Sequence, residues 1–304
     1  MLDVVLLGTG GMMPLPNRYL SSVLCRFNGS GLLIDCGEGT QVTMKMTGWG
    51  FKNIDLICFT HFHADHISGL PGLLLTIGNS REETLTILGP PGIGKVVRAL
   101  LTIASDLPFE IDVIELPYNK GQSHEINKSY YTIRSFGLDH RIPCLAYCIE
   151  VKRAGRFDNE KAQYFGVPMR AWSRLQKNEE VEIDGIVYKP EMVLGPPRKS
   201  IKLSYCTDTK PLNGISGFVE NSDLFVCEGL YGDDDQTEKA HNHRHMVFSE
   251  AAGIASEAGV NELWLTHFSP SLVNPKDYQH IAKSVFANTK IGYDRMKSTL
   301  CYTD

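Results

Sequence analysis

Thr60-His61-Phe62-His63-Ala64-Asp65-His66 follows directly on the apolar run Leu56-Ile57-Cys58-Phe59. Along an extended chain alternate side chains fall on one side, so His61 and His63 can present both imidazoles to one ion. Asp65 and His66 come next, where the chain turns towards a helix, and are placed to serve a second ion beside the first. Neutral imidazole and carboxylate suit zinc, manganese or iron accept the same donors, and a site with an open position activates water. Three histidines and an aspartate between positions 61 and 66, at the end of a strand, are a metal-ligating pattern and not a chance polar loop.

Four donors do not complete two ion sites. Three further residues sit in similar settings, each just after an apolar run: His140 in Phe136-Gly137-Leu138-Asp139-His140, Asp208 in Tyr205-Cys206-Thr207-Asp208-Thr209, and His267 in Leu263-Trp264-Leu265-Thr266-His267. The ends of adjacent strands converge on one rim, which lets distant residues share a site. Together these positions supply seven donors, enough for two ions bridged by one carboxylate.

Outward from this cluster the chain has the ordinary make-up of a folded protein. Its 304 residues are 42% hydrophobic and 21% charged, which argues against long disorder and allows a large core. Thirty basic residues against 35 acidic ones give a net charge of −5, excluding a generally basic surface but not a local basic element. Short β-like runs (Val4–Leu7, Ser22–Phe27, Gly31–Ile34, Leu56–Phe59, Leu85–Leu88, Ile201–Cys206, Asp223–Cys227 and Glu262–Leu265) alternate with helical stretches at Gly94–Ile103 and Phe248–Ala258. The pattern predicts an α/β protein with helices covering sheets. Eight scattered cysteines, mostly inside apolar runs, are expected as small buried hydrophobes in a reducing compartment, the cytoplasm. The start of the chain lacks a basic leader, and no stretch approaches the roughly 20 apolar residues of a membrane span, so neither export nor a membrane partner is expected.

Two smaller features qualify this picture. Between Lys152 and Lys177 seven basic residues stand against two acids, a local +5 in a chain of −5. Gly89-Pro90-Pro91-Gly92-Ile93-Gly94-Lys95 fits the spacing of a phosphate-binding loop, but Val96 stands where the motif needs a hydroxyl, so no nucleotide cofactor is expected. Asp233-Asp234-Asp235 lacks calcium-loop spacing, and His241 and His243 are expected as loop histidines.

The cluster, with Leu6-Leu7-Gly8-Thr9-Gly10 and Leu33-Ile34-Asp35-Cys36-Gly37-Glu38-Gly39-Thr40-Gln41, resembles the metallo-β-lactamase superfamily and within it the ribonuclease Z family, along essentially the whole chain. The resemblance implies a four-layer αββα sandwich, a single domain over residues 1–304 with an inserted arm at 152–200. It implies two Zn2+ per subunit: His61, His63 and His140 on one, Asp65, His66 and His267 on the other, Asp208 bridging. Asp35 would brace the histidine loop from behind, as hydrogen-bond partners of metal ligands do. Glu228, in Asp223-Leu224-Phe225-Val226-Cys227-Glu228, and His245, in His245-Met246-Val247, match the family's orienting glutamate and proton-donating histidine. Asp65 would also orient the attacking water. The arm, from Gly155-Arg156-Phe157-Asp158 through Gly166-Val167-Pro168 to Leu194-Gly195-Pro196-Pro197, would grip substrate through its basic cluster, with Arg156, Arg170 and Arg174 as contacts.

By this resemblance the chain is an endoribonuclease that removes the 3′ trailer from tRNA precursors by metal-assisted attack of water on phosphorus. It would work as a homodimer in which one subunit's arm serves the other's active site. Some family motifs are altered. The loop Pro14-Leu15-Pro16-Asn17-Arg18-Tyr19 loses a lysine and an asparagine, Gly229-Leu230 follows Glu228, Met169-Arg170-Ala171 stands in the arm, and Phe268-Ser269-Pro270-Ser271-Leu272 follows His267. These changes mark a divergent member and leave hydrolysis of small phosphodiesters or other esters as the alternative activity.

Overall fold

Every residue from Val4 to Leu7 is fully buried, with Val4 and Leu6 on one face of the first strand and Val5 and Leu7 on the other. A strand that hides both faces needs a packed layer on each side. The computed structural model, which describes residues 1–128 and 131–303, supplies those layers. Strands β1 (Leu2–Gly8), β2 (Ser22–Phe27), β3 (Ser30–Ile34), β4 (Ile54–Cys58), β5 (Leu85–Gly89) and β6 (Ile111–Glu115) form the first sheet, antiparallel as far as β3 and parallel from there to β6. In the second sheet β7 (Ser123–Asn127), β8 (Tyr131–Gly137) and β9 (Leu145–Arg153) run antiparallel. A small hairpin, β10 (Val181–Ile183) with β11 (Ile186–Tyr188), stands apart. The second sheet then continues through β12 (Arg198–Cys206), β13 (Leu224–Glu228), β14 (Leu263–Thr266) and β15 (Thr289–Ile291). The last strand, β16 (Lys297–Leu300), returns to pair with β1, so among the described residues each large sheet has seven strands.

The two sheets face each other across one apolar layer that includes Leu6, Val23, Tyr147, Leu203, Tyr205 and Trp264. The outer face of the first sheet is covered by α1 (Thr40–Thr47), the one-turn α2 (Ala64–Ile67), α3 (Leu70–Ile77) and α4 (Ile93–Leu100), through Met44, Ile67, Leu70, Leu73, Leu74, Ile93 and Val97. Two helices of the inserted segment, α5 (Asn159–Tyr164) and α6 (Met169–Gln176), come next along the chain. The second sheet carries α7 (Ile215–Val219), α9 (Phe248–Glu257) and α10 (Gln279–Val285), packed through Phe218, Phe248, Ala251, Ala252, Ala255 and Ala282, while α8 (Thr237–Asn242) lies in the loop before α9. The result is a helix–sheet–sheet–helix sandwich. Burying one such leucine or phenylalanine contributes about 1.5–3 kcal/mol, so the three apolar layers carry most of the stability.

Between β9 and β12 the chain makes an excursion with a core of its own, built from Ala162, Val167, Ala171, Leu175, Val181, Tyr188, Val193 and Leu194. It leaves from Arg153 and returns at Arg198, which are paired across adjacent antiparallel strands. The opposite ends of the same strands, Leu145 and Cys206, lie beside the histidine loop; the Leu145 amide donates to the Thr60 carbonyl at 2.9 Å. At about 3.3 Å per residue, the excursion is rooted roughly 25–30 Å from that loop.

Most elements match the sequence pattern with shifted ends. The stretch expected as one helix over Gly94–Ile103 is α4 followed by a tighter 3-10 turn at Leu101–Ile103. Seven cysteines are buried and free, and Cys301 is exposed. In the first turn of α4, directly after the glycine-rich turn, the Gly94 amide donates to Glu115 Oε1 at 3.1 Å. A carboxylate thus holds the amide a phosphate would need and repels any anion. His241 lies on α8, against the expectation of a loop, with Nε2 2.6 Å from Glu250 Oε1. His243 caps that helix, exposed, near Arg141.

Candidate metal centre

Asp35, Asp208 and His267 follow the ends of β3, β12 and β14 with φ of 58°, 51° and 58°. Non-glycine residues in this left-handed region cost on the order of 1–3 kcal/mol each and persist only where their surroundings over-determine them. Here the sharp turn swings each side chain back over the sheet edge, towards the loop carrying His61 and His63. For His267 the opposing wall is Gly11, where a Cβ would stand only 2.6 Å from the imidazole, so glycine alone leaves room for the ring. Backbone bonds from Phe268 to Thr9 and from Gly11 to Phe268 close the two loops together.

Two groups of donors result. His61 Nε2 lies 3.0 Å from His63 Nδ1, and His140 Nε2 lies 3.2 Å from the same atom. His66 Nε2 and His267 Nε2 are 3.1 Å apart, with Asp65 Oδ2 at 3.6 and 3.5 Å from them. Asp208 stands between the groups. Its Oδ1 is 3.2 Å from both His66 and His267, and its Oδ2 is 3.7 and 3.8 Å from His61 and His140. A neutral imidazole has one N–H, so the three nitrogens meeting at His63 cannot satisfy one another. Donors about 2.0–2.1 Å from a tetrahedral ion stand roughly 3.3 Å apart, and that spacing fits. The sequence-expected residues His61, His63, Asp65, His66, His140, Asp208 and His267 all meet here, and these donor sets are able to hold metal.

The electrostatics agree with that use. Burial holds His61, His63 and His140 below the ordinary imidazole range, His140 at about 4, so they are neutral and able to ligate. Burial opposes charge on His66 too, yet Asp208, Asp35 and Asp65 around it push its pKa well up. Three carboxylates about one ring form a pocket that calls for a cation. Asp35 accepts from the Thr60 amide at 2.8 Å and lies 2.8 Å from His66 Nδ1, bracing both ends of the histidine loop.

Beside the centre, His245 Nδ1 is 2.9 Å from Glu228 Oε2, and His245 Nε2 is 3.9 Å from Asp208 Oδ2. Burial works against a charged His245, but Glu228 outweighs it and raises the ring to about 9. Glu228 itself is fixed by the Thr209 amide at 2.5 Å. Sequence reasoning missed several supports. The Met12 amide donates to Asp65 Oδ2 at 2.6 Å. Arg18 donates to the carbonyls of Ser269, Leu272 and Val273, joining the two altered loops to each other. Asp139 binds cations on three loops. None of these has a local signal, because each depends on a partner far along the chain.

Arg156, Arg170 and Arg174 lie in the excursion, whose root stands roughly 25–30 Å from the histidine loop. Arg170 pairs with Asp184 at 2.8 Å and Arg174 with Glu179 at 3.1 Å. The +5 between Lys152 and Lys177 is offset further along the arm: Glu179 and Asp184, just beyond Lys177, fold back onto the arginines, and residues 152–200 hold ten basic and seven acidic side chains.

A four-layer sandwich with a histidine–aspartate cluster on one rim defines the metallo-β-lactamase fold. The chain is similar over 98% of its length to the metallo-β-lactamase fold protein YhfI from Bacillus subtilis, TM-score 0.69, 22% identical over 98% of that chain. Human tRNase Z, short form, shares the fold at TM-score 0.72, with 24% identity over 98% of each chain. Ribonuclease Z of Agathobacter rectalis is 54% identical over 305 residues, covering 100% of both chains. The chain belongs to the ribonuclease Z family. The family described as anti-Pycsar protein Apyc1 also matches, over residues 2–98 alone.

Proposed function

We propose that the protein is a zinc-dependent endoribonuclease that removes the 3′ trailer from tRNA precursors, acting in the cytoplasm. The observation that carries this reading is Asp208 shared between two donor groups, with the charged His245–Glu228 pair beside it, in a chain of the ribonuclease Z family. His61, His63, His140 and Asp208 would hold one Zn2+, and Asp65, His66, His267 and Asp208 the other. Bound zinc supplies a Lewis acid and lowers the pKa of water towards about 7.

The chain's own residues do the rest. Asp65, pulled below the ordinary carboxylate range by His66 and His267 against the effect of burial, stays ionised and orients the attacking water or takes its proton. As the P–O3′ bond breaks, His245 donates its Nε2 proton to the leaving 3′-oxygen. Glu228 accepts from Nδ1, aims the ring and keeps it charged until transfer. The products are a tRNA with a free 3′-hydroxyl and a trailer carrying the phosphate. Residues 1–304 act as one domain with residues 152–200 as a substrate-gripping arm in which Arg156, Arg170 and Arg174 contact RNA. The arm's root lies far from its own centre, which supports a homodimer whose arms reach across. Among the described residues no helix is long and apolar enough to cross a membrane.

The test is cleavage of a precursor tRNA by zinc-loaded protein, beside turnover of bis(p-nitrophenyl) phosphate. Both reactions are expected, and both are lost in His63→Ala. Turnover of the dye ester without any tRNA cleavage would overturn the RNA reading in favour of a small-phosphodiester hydrolase.

A further inference from the structure

We propose that Lys120, Lys210 and Arg244, gathered on Asp139 at the rim of the metal centre, form an anion subsite that grips an RNA-backbone phosphate flanking the scissile one. The inference rests on the tRNA-processing reading above and deepens it. Asp139 is buried and immediately precedes His140. Its Oδ1 takes Arg244 Nη1 at 2.7 Å, and its Oδ2 takes Lys120 Nζ at 3.2 Å and Lys210 Nζ at 3.6 Å. One carboxylate balances one cation, so this group carries an excess of two positive charges. The cationic side chains are 52%, 37% and 40% exposed for Lys120, Lys210 and Arg244, and among the described residues none of them pairs with a second acid.

The cations come from three separate loops, each tied to a residue of the centre. Lys210 follows Asp208 by two positions and Arg244 immediately precedes His245. Lys120 is held through its own loop. Tyr118 Oη donates to the Leu138 carbonyl at 2.8 Å, the Gly121 amide donates to the Gly137 carbonyl at 2.8 Å, and a Cβ on Gly137 would stand 2.2 Å from the Asn119 carbonyl oxygen. Asp139 adds a further tie, its amide donating to Thr209 Oγ1 at 3.1 Å, next to the amide that holds Glu228. Like charges crowded on one carboxylate repel each other, and neutralising Asp139 alone needs only one of them. A second anion relieves that repulsion. Because the two amines are already ordered on Oδ2, less side-chain freedom is lost when it binds. A polyanionic chain crossing the centre to place one phosphodiester beside His245 must pass this rim, so its neighbouring phosphate is the anion that fits.

The test is steady-state cleavage of precursor tRNA by the zinc-loaded full-length protein across a series of KCl concentrations, comparing wild type with Lys120→Ala, Lys210→Ala and the double variant. Each lysine removed should flatten the slope of log kcat/KM against log salt by about one. The double variant should lose roughly tenfold in kcat/KM at low salt, through KM with kcat kept, and Lys120→Arg should restore most of the single-site loss. A purely structural role would leave the salt slope unmoved. A wild type that cleaves precursor while the double variant keeps its slope and KM overturns the subsite alone. A wild type that cleaves no precursor overturns the tRNA reading and the subsite with it.

Discussion

His245 shows how much one residue depends on its partners. Alone it is a histidine in a loop of histidines, as His243 is. Set against Glu228, and with Asp208 on its other side, it becomes a charged imidazolium in a buried place. In the role of proton donor proposed for it, His245 must be charged, so activity should fall as pH rises through the pKa of about 9. Glu228→Gln removes the anion that favours the charged form. The basic limb of the kcat profile is then expected to move down towards about 6.5, the ordinary imidazole value, with kcat at pH 7.5 lower by about 10- to 100-fold. A pH–rate profile whose basic limb stays in place in this variant would remove His245 as the acid.

At the scale of elements, the arm is the most separable part of the chain. It has its own apolar cluster, and its two roots, Arg153 and Arg198, are paired neighbours on antiparallel β9 and β12. A two-residue turn can therefore join these strands directly, as in any β-hairpin. Replacing residues 154–197 by Asn-Gly is expected to leave the sandwich folded, its metal content unchanged and its dye-ester turnover within about twofold, while precursor cleavage falls at least roughly 100-fold. Metal analysis together with the two assays checks this; equal loss on both substrates would mean that the arm serves the fold and not the RNA. Substituting Arg170 and Arg174 should do far less, because their exposed pairs with Asp184 and Glu179 already spend much of their charge and contribute little to stability.

For the whole molecule, the roughly 25–30 Å between the arm's root and the metal centre sets the geometry of cooperation. If arms reach across a dimer, a subunit with a dead centre can still lend its arm. Mixing His63→Ala protein with the arm-deleted protein, each inactive on precursor tRNA, is expected to restore cleavage up to about a quarter to a half of the wild-type level once subunits exchange. A mixture that co-assembles by sedimentation yet stays inactive would place each arm over its own centre. The same view explains why a net charge of −5 is compatible with RNA. Cations gather at particular places, on the rim around Asp139 and along the arm, while the body stays acidic.

The local pattern of the chain was enough for an α/β protein with helices covering sheets, the four-layer order coming from the family resemblance, and for the seven residues at 61, 63, 65, 66, 140, 208 and 267 that meet on one rim. Both are written in short-range features: apolar alternation that hides both faces of a strand, and polar ligating residues set just past strand ends. Short-range pattern set His61 and His63 apart from Asp65 and His66, but by itself it could not assign His140, Asp208 and His267 to the two groups, because that depends on left-handed turns at Asp35, Asp208 and His267 on separate strands. Nor could it show that Asp184 and Glu179 fold back on the arm's arginines, that Glu115 fills the glycine-rich turn, or that Lys120, Lys210 and Arg244 share one carboxylate. Charge and hydrogen bonding act through space. A residue's partners in those interactions exist only once the sheets have brought distant loops to one edge.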